Sequence, residues 1–306
     1  MTTQTDITWI AADWGTTNLR VWALSDTGEI LIHRGSDRGM GKLAPAEFEP
    51  ALLDLIEDIL PTRGEVPIMV CGMAGSRQGW AEAPYKSVPC PPPSIADATR
   101  VKTADPRLDV HILPGLKQLK PADVMRGEET QIAGFLADQP VFSGTLCLPG
   151  THTKWVKLKS GVVERFRTCM TGETFALYRH RSVLRHGLSE SEFDTGAFKN
   201  AVLCVLQDPK VFASELFGIR AASLVAGQTP TEATGRLSGL LIGAELASIR
   251  DEFDLADVAI LGSSKIAGTY HAALECLGQD ARLLDAESIT LRGLTLAFSC
   301  YARETS

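Results

Sequence analysis

Asp13, Gly15, Thr16 and Thr17 are the first residues in the chain whose types and spacing could do chemistry. They lie where an apolar run, Ile7 to Ala12, passes into an alternating one that carries Leu19, Val21 and Ala23. That pattern predicts a hairpin with a Gly-Thr-Thr turn. Glycine and small hydroxyls at a turn present several backbone N–H groups at one spot, which suits phosphate oxygens. An Asp at the end of the incoming strand can hold Mg²⁺, directly or through water. A plain hairpin with a turn glycine and a surface Asp has the same local pattern.

The second half of the chain repeats the layout. Gly144 to Leu148 reads as a strand, Pro149-Gly150-Thr151-His152-Thr153 as a turn, and Lys154 to Leu158 as a strand. Two such turns at equivalent places make phosphate binding a far stronger reading than one, with Gly150, Thr151 and Thr153 as further donors. Asp257 to Leu261 predicts a buried strand ending at Gly262-Ser263, a candidate nucleotide contact. Lys154 or Arg20 could neutralise charge.

Carboxylates for acid–base work come from Asp123-Val124-Met125-Arg126-Gly127-Glu128-Glu129. Glu128 and Glu129 open a predicted helix, where acidic residues are also favoured by the macrodipole alone. Successive helical residues point about 100° apart, so only one of the two can face a cleft squarely. Glu128 is the first candidate for the base, then Glu129, then Asp123. Gly72-Met73-Ala74-Gly75-Ser76 is a candidate ligand-binding turn, because it follows the predicted strand Pro67 to Cys71. Strand ends of open α/β sheets are where ligands sit. Arg38, in a glycine-bearing loop, could meet a carboxylate.

The elements that must position these residues form two halves. At 306 residues the chain has room for two domains of roughly 150 each. Asp138-Gln139-Pro140 is the expected hinge, which gives domains at 1–138 and 139–306. Helical periods run through Pro45 to Leu60, much of 180–235, and Leu237 to Ile249, where small residues permit a close approach by a helix or a flat ligand. A last helix, Ser288 to Tyr301, is expected to pack at the domain boundary.

Composition narrows the partners. The chain is 44% apolar and 22% charged, with a net charge of −7 that argues against a nucleic-acid partner. No apolar window is long enough for a membrane span, and Met1 to Asp6 lacks a secretory apolar core. Seven cysteines without metal-like spacing suit reduced thiols in the cytoplasm.

The three motifs, in this order, resemble those of the superfamily that joins actin, heat-shock chaperone ATPases and sugar kinases. Ala12 to Arg20, Cys71 to Ser76, Asp123 to Gln131 and Leu148 to Trp155 together resemble the 2-dehydro-3-deoxygalactonokinase family, the Met125 to Gln131 block most specifically. The resemblance implies an α/β protein of two ribonuclease-H-like domains, each a mixed five-stranded sheet with flanking helices, around a central cleft. It also implies ATP and Mg²⁺, with phosphorylation of the 6-hydroxyl of 2-dehydro-3-deoxy-D-galactonate in galactonate breakdown. Partners are then ATP and a sugar acid, whose carboxylate would meet Arg38, Arg77 or Arg126 and whose chain Met73 to Ser76 would line, and a homodimer is compatible with the chain. Rival readings are an exopolyphosphatase-like hydrolase and a non-catalytic nucleotide sensor on the same fold.

Overall fold

The computed structural model describes residues 7–305; Met1 to Asp6, where the absence of a secretory core was read, lie outside the described residues. The first sheet is built from β1 (Trp9–Trp14), β2 (Leu19–Leu24), β3 (Ile30–Ser36), β4 (Val66–Gly72), β6 (Thr99–Arg100) and β7 (Leu108–Ile112). Its order is β3-β2-β1-β4-β7-β6, with β1 to β3 antiparallel and β1, β4 and β7 parallel. A small sheet of β5 (Lys86–Ser87), β8 (Leu116–Leu119) and β9 (Ala122–Met125) follows in the order β5-β8-β9.

β1 reads as almost continuously apolar because both of its faces are covered. Ile10, Ala12 and Trp14 pack with Phe48, Leu52 and Ile56 of α1 (Phe48–Ile56), while Trp9 and Ala11 pack toward Leu294 and Ala297 of α8 (Ala286–Thr305). α8 also lies on α2 (Glu128–Leu136), where Gln131 Nε2 donates to Thr290 Oγ1 at 3.1 Å. Gly134 and Gly293 make this crossing tight: a Cβ on Gly293 would meet the Thr130 carbonyl at 2.1 Å.

The second sheet contains β10 (Gly144–Leu148), β11 (Thr153–Lys159), β12 (Val162–Cys169), β13 (Val258–Gly262) and β14 (Ala281–Asp285), in the order β12-β11-β10-β13-β14. Its helices are α3 (Thr171–Arg181), α4 (Thr195–Gln207), α5 (Phe212–Val225), α6 (Pro230–Ile249) and α7 (Ser264–Glu275). The glycine row of α6 receives the backbone of α4, so the small residues there serve a helix rather than a flat ligand.

Both main sheets share one pattern: three antiparallel strands, then parallel strands added beside the first. This is the actin-like α/β arrangement expected from the motifs, occurring twice. The first sheet carries six strands rather than five, because the two-residue β6 pairs with the edge of β7.

One compact unit takes the chain through Phe142, then Lys159–Arg165 and the segment from Ala286; the other takes Ser143–Leu158 and Phe166–Asp285. The division at 138/139 expected from sequence differs mainly in α8, which joins the first unit rather than the second. Its apolar side covers the outer face of β1 and β4, and Trp9 stacks on Phe298 at 4.6 Å. Among the described residues no helix is long and apolar enough to cross a membrane.

Candidate active site

Two glycines bring the first unit's chemistry together. Gly72, at the end of β4, has φ +88°, and a Cβ there would lie 2.5 Å from the Trp14 carbonyl. Gly127, before α2, has φ +104°, and its Cβ would lie 3.3 Å from the Gly72 Cα. The ends of β1 and β4 and the start of α2 can therefore touch only if side chains are absent. Asp13, next to last in β1, and Glu128, first in α2, come within electrostatic reach of each other. Burial pushes the Asp13 carboxyl up, the Arg20 charge opposes this, and the Glu128 charge adds to the rise.

Arg20 stands opposite Asp13 in the β1–β2 register and donates Nη2 to Asp13 Oδ2 at 2.6 Å. Its Nη1 reaches Glu287 Oε2 at 3.0 Å. Glu287, in the first turn of α8, is absent from every local motif; only the return of the last helix to this unit puts it here. The Cys71 thiol approaches Asp13 Oδ1 at 3.8 Å.

The three carboxylates proposed for acid–base work separate clearly. Glu128 is half-buried, and its Oε2 accepts the Arg126 N–H at 3.1 Å. Glu129 is fully buried, and both its oxygens accept the Gly127 N–H at 2.8 Å. Burial first, and the Glu128 charge second, push its pKa to about 8. Its charged form is disfavoured inside the fold. Asp123 lies on β9 in the small sheet, where its Oδ1 accepts the Val124 N–H at 2.8 Å.

The first turn exposes Thr16 and Thr17, and its carbonyls are held from behind. Met40, Gly41 and Gly39 donate to the carbonyls of Gly15, Thr16 and Thr17 at 3.0, 2.9 and 3.0 Å. The loop expected to bring Arg38 to a substrate is thus a brace for the turn. The Arg38 guanidinium pairs with Asp54 of α1, and its carbonyl accepts the Trp14 indole N–H at 3.1 Å.

Ser76 and Arg126 lie close together with the β4 end. Arg126 is 8% exposed, donates Nη2 to the Ala83 carbonyl at 2.8 Å, and lies over the Tyr85 ring at 4.3 Å. A Cβ on Gly75 would come 2.6 Å from its Nη1. Among the described residues, the buried side-chain polar atoms without a hydrogen-bond partner are Ser76 Oγ, Arg126 Nε and Nη1, and Thr130 Oγ1. Orphaned buried donors are rare and costly, and these fall in two neighbouring segments. Met73 and Ala74 form the short helical turn beside them.

In the second unit the turn before β11 is clamped by α3. Glu173 N donates to the Thr151 carbonyl at 2.9 Å, and a Cβ on Gly172 would meet the Gly150 carbonyl at 2.3 Å. Gly150 is half-buried and Thr151 exposed. Thr153 departs from expectation: it is fully buried, and its hydroxyl lies 2.7 Å from Tyr270 OH, so its side chain is committed below the turn. Lys154 is also buried and donates Nζ to the His152 carbonyl at 3.1 Å.

Gly262 ends β13 beside Pro149, and Ser263 occupies the position before α7 without a side-chain capping hydrogen bond. Next to them is a cavity of about 260 Å³ whose walls include Gly150, Thr171, Phe175, Ser238, Ile266 and Tyr270. Gly262 and Ser263 border this space through Lys265 and Ile266 rather than lining it themselves. Its walls come from distant segments, each unremarkable alone, which is why sequence reasoning missed them.

The chain is similar to known proteins over nearly its whole length. The family model described as 2-keto-3-deoxy-galactonokinase matches residues 13–297. A Rhizobium meliloti protein named as a probable 2-dehydro-3-deoxygalactonokinase is 38% identical over 94% of this chain and 95% of its own. The 2-dehydro-3-deoxygalactonokinase of Escherichia coli K12 is 35% identical over 94% and 96%. A Sinorhizobium meliloti crystal structure carrying the same assignment as the first superposes with a TM-score of 0.87 at 36% identity, over 96% of this chain and 99% of that one.

Proposed function

Because the chain belongs to the 2-keto-3-deoxy-galactonokinase family, we propose that it transfers the γ-phosphoryl group of ATP to the 6-hydroxyl of 2-dehydro-3-deoxy-D-galactonate, in galactonate catabolism. The observation that carries the assignment of roles is the meeting of Asp13 and Glu128 across Gly72 and Gly127. Phosphoryl transfer is chiefly positioning and charge neutralisation, with a carboxylate that orients or accepts the proton of the attacking hydroxyl. Glu128 takes that proton. Glu129, fully buried, shapes the helix start behind it, and Asp123 is the remaining, weaker candidate.

Asp13 suits a Mg²⁺ held mostly by phosphate oxygens and water, the usual habit of that ion. Among the described residues no cluster of three ligating side chains could cage a metal on its own. When bound, the ion supplies positive charge to the phosphates. Arg20, shared between Asp13 and Glu287, holds the Asp13 carboxylate in place and adds a second positive charge.

The exposed turns Gly15-Thr16-Thr17 and Gly150-Thr151 take phosphate oxygens through backbone N–H groups and hydroxyls. The nucleoside occupies the cavity beside Gly262 and Ser263. On the acceptor side, Arg126 and Ser76 offer unspent donors to the substrate carboxylate, with Gly72, Met73 and Ala74 lining the sugar chain. Arg126 is covered by the segment that contains Gly75 and Ala83, so binding requires that segment to yield. ATP and a sugar acid are the only partners this chemistry needs, and both are cytoplasmic solutes.

The test is ATP consumption by the purified protein with Mg²⁺. Turnover should appear only when a 2-keto-3-deoxy sugar acid is added, and more with the galactonate-derived epimer than with the gluconate-derived one. Equal turnover without an acceptor would sink the kinase reading in favour of a phosphohydrolase, and no turnover with any acceptor would favour a sensor.

A further inference from the structure

The second unit contains a buried carboxylate for which phosphoryl transfer has no direct use. Glu245, on α6, is 4% exposed. Its Oε1 accepts the Trp155 indole N–H of β11 at 2.7 Å, and its Oε2 accepts the Tyr270 hydroxyl of α7 at 2.9 Å. Oε2 also accepts the hydroxyl of Thr171, the first residue of α3. Because Tyr270 donates to Glu245, its oxygen accepts the Thr153 hydroxyl at 2.7 Å, which extends the chain to the second turn. One carboxylate thereby links four elements.

The linked groups are those that shape the nucleotide side. Thr171 and Tyr270 are walls of the cavity. Thr171 precedes Gly172, which is pressed against the Gly150 carbonyl, and Thr153 closes the turn that holds Gly150 and Thr151. Three donors converge on one group, and only an acceptor without donors of its own satisfies them all. An amide would set an NH₂ against a hydroxyl donor, and an apolar residue would strand three buried donors.

The geometry points to Glu245 as a positioning residue for nucleotide binding: it fixes the cavity wall and the second turn to each other, without touching the substrate. This rests on the proposal that the nucleoside occupies that cavity. A purely structural role would lower stability and weaken both substrates alike. A positioning role splits them, because the acceptor side belongs to the other unit.

Two variants and one control test it. Glu245→Gln should raise the KM for ATP, and the Kd for ADP measured by calorimetry, by about 10-fold, a size typical of breaking a buried charged hydrogen-bond set. The KM for the sugar acid should stay within about 2-fold. Thr153→Val frees only the turn and should raise the ATP KM by about 3-fold; combined with Glu245→Gln it should add nothing further. Ser238→Trp, which fills the cavity, should abolish ADP binding. If Ser238→Trp binds ADP normally, the nucleoside assignment fails and this inference with it. If Ser238→Trp loses ADP while a folded Glu245→Gln retains wild-type affinity, the inference alone fails. Equal weakening of both substrates by Glu245→Gln also overturns it. Should Glu245→Gln fail to fold, an unchanged ATP KM in Thr153→Val overturns it.

Discussion

The two Gly–Thr turns are near copies in sequence and layout, yet what lies beneath each is opposite in kind. The unit that carries Gly15-Thr16-Thr17 has Asp13 shared with Arg20, Glu128 within the field of Asp13, and buried atoms of Ser76, Arg126 and Thr130 that lack a hydrogen-bond partner. Under Gly150-Thr151 is a closed network, Thr153 to Tyr270 to Glu245, in which every named donor has its acceptor. Unsatisfied polar capacity costs stability and is retained where a ligand will use it; satisfied capacity holds a shape. On the proposed assignment, the same hairpin serves chemistry and acceptor choice in one unit and a fixed nucleotide seat in the other.

The largest effect expected from this contrast is on Glu128. Glu128→Gln should reduce kcat by about 10²-fold or more, whereas its buried counterpart Glu245 changes KM. Steady-state rates decide it: a near-normal kcat would shift the role to Glu129 or Asp123. Next is Arg126→Met, which should raise the sugar-acid KM roughly 10- to 100-fold, the scale of lost charged hydrogen bonds, and leave the ATP KM unchanged. An increase in the ATP KM instead would erase the distinction between the two sides.

A smaller effect lies in the pH dependence of stability. Glu129 has a pKa raised by burial to about 8, against 4.5 when unperturbed. Above about pH 4.5 the unfolded chain releases a proton that the folded state keeps. Stability should therefore fall as pH rises from about 4.5 to about 8. Glu129→Gln should flatten that decline in urea melts by up to one proton, and an unchanged slope would show that Glu129 ionises freely in the fold. The smallest effect belongs to Arg38→Ala. Its ion pair with Asp54 is partly exposed, so the loss should be no more than about 1 kcal/mol, with both KM values within about 2-fold of wild type. A large rise in the sugar-acid KM would restore Arg38 to the acceptor site.

Much of the fold was legible because it rests on local patterns. The apolar runs of β1, β4, β10 and β13, and the repeated hairpin, announce two sheets built alike. The division at 138/139 lies close to the observed change of unit at 142/143, yet it assigned α8 to the other half. Which side a terminal helix joins depends on which sheet face remains uncovered, and no local pattern states that. Glu287 was hidden for the same reason. The cavity walls were hidden because Thr171, Ser238, Ile266 and Tyr270 converge only in space.

By itself the sequence determined the turns, their echo, and the Gly-Glu-Glu helix start, because turn geometry and helix initiation depend on residues a few positions apart. It could nominate Glu128, Glu129 and Asp123 as candidate bases, and Arg38 and Arg126 for the substrate carboxylate, but could not choose among them. Tertiary structure gave these candidates different burial and neighbours. It sealed Glu129 inside, held Asp123 on the small sheet, and gave Arg38 to Asp54. Glu128 was left beside Asp13, and Arg126 was left with donors to spare. A side chain's chemistry depends on what surrounds it, and those surroundings come from chain segments tens to hundreds of residues away.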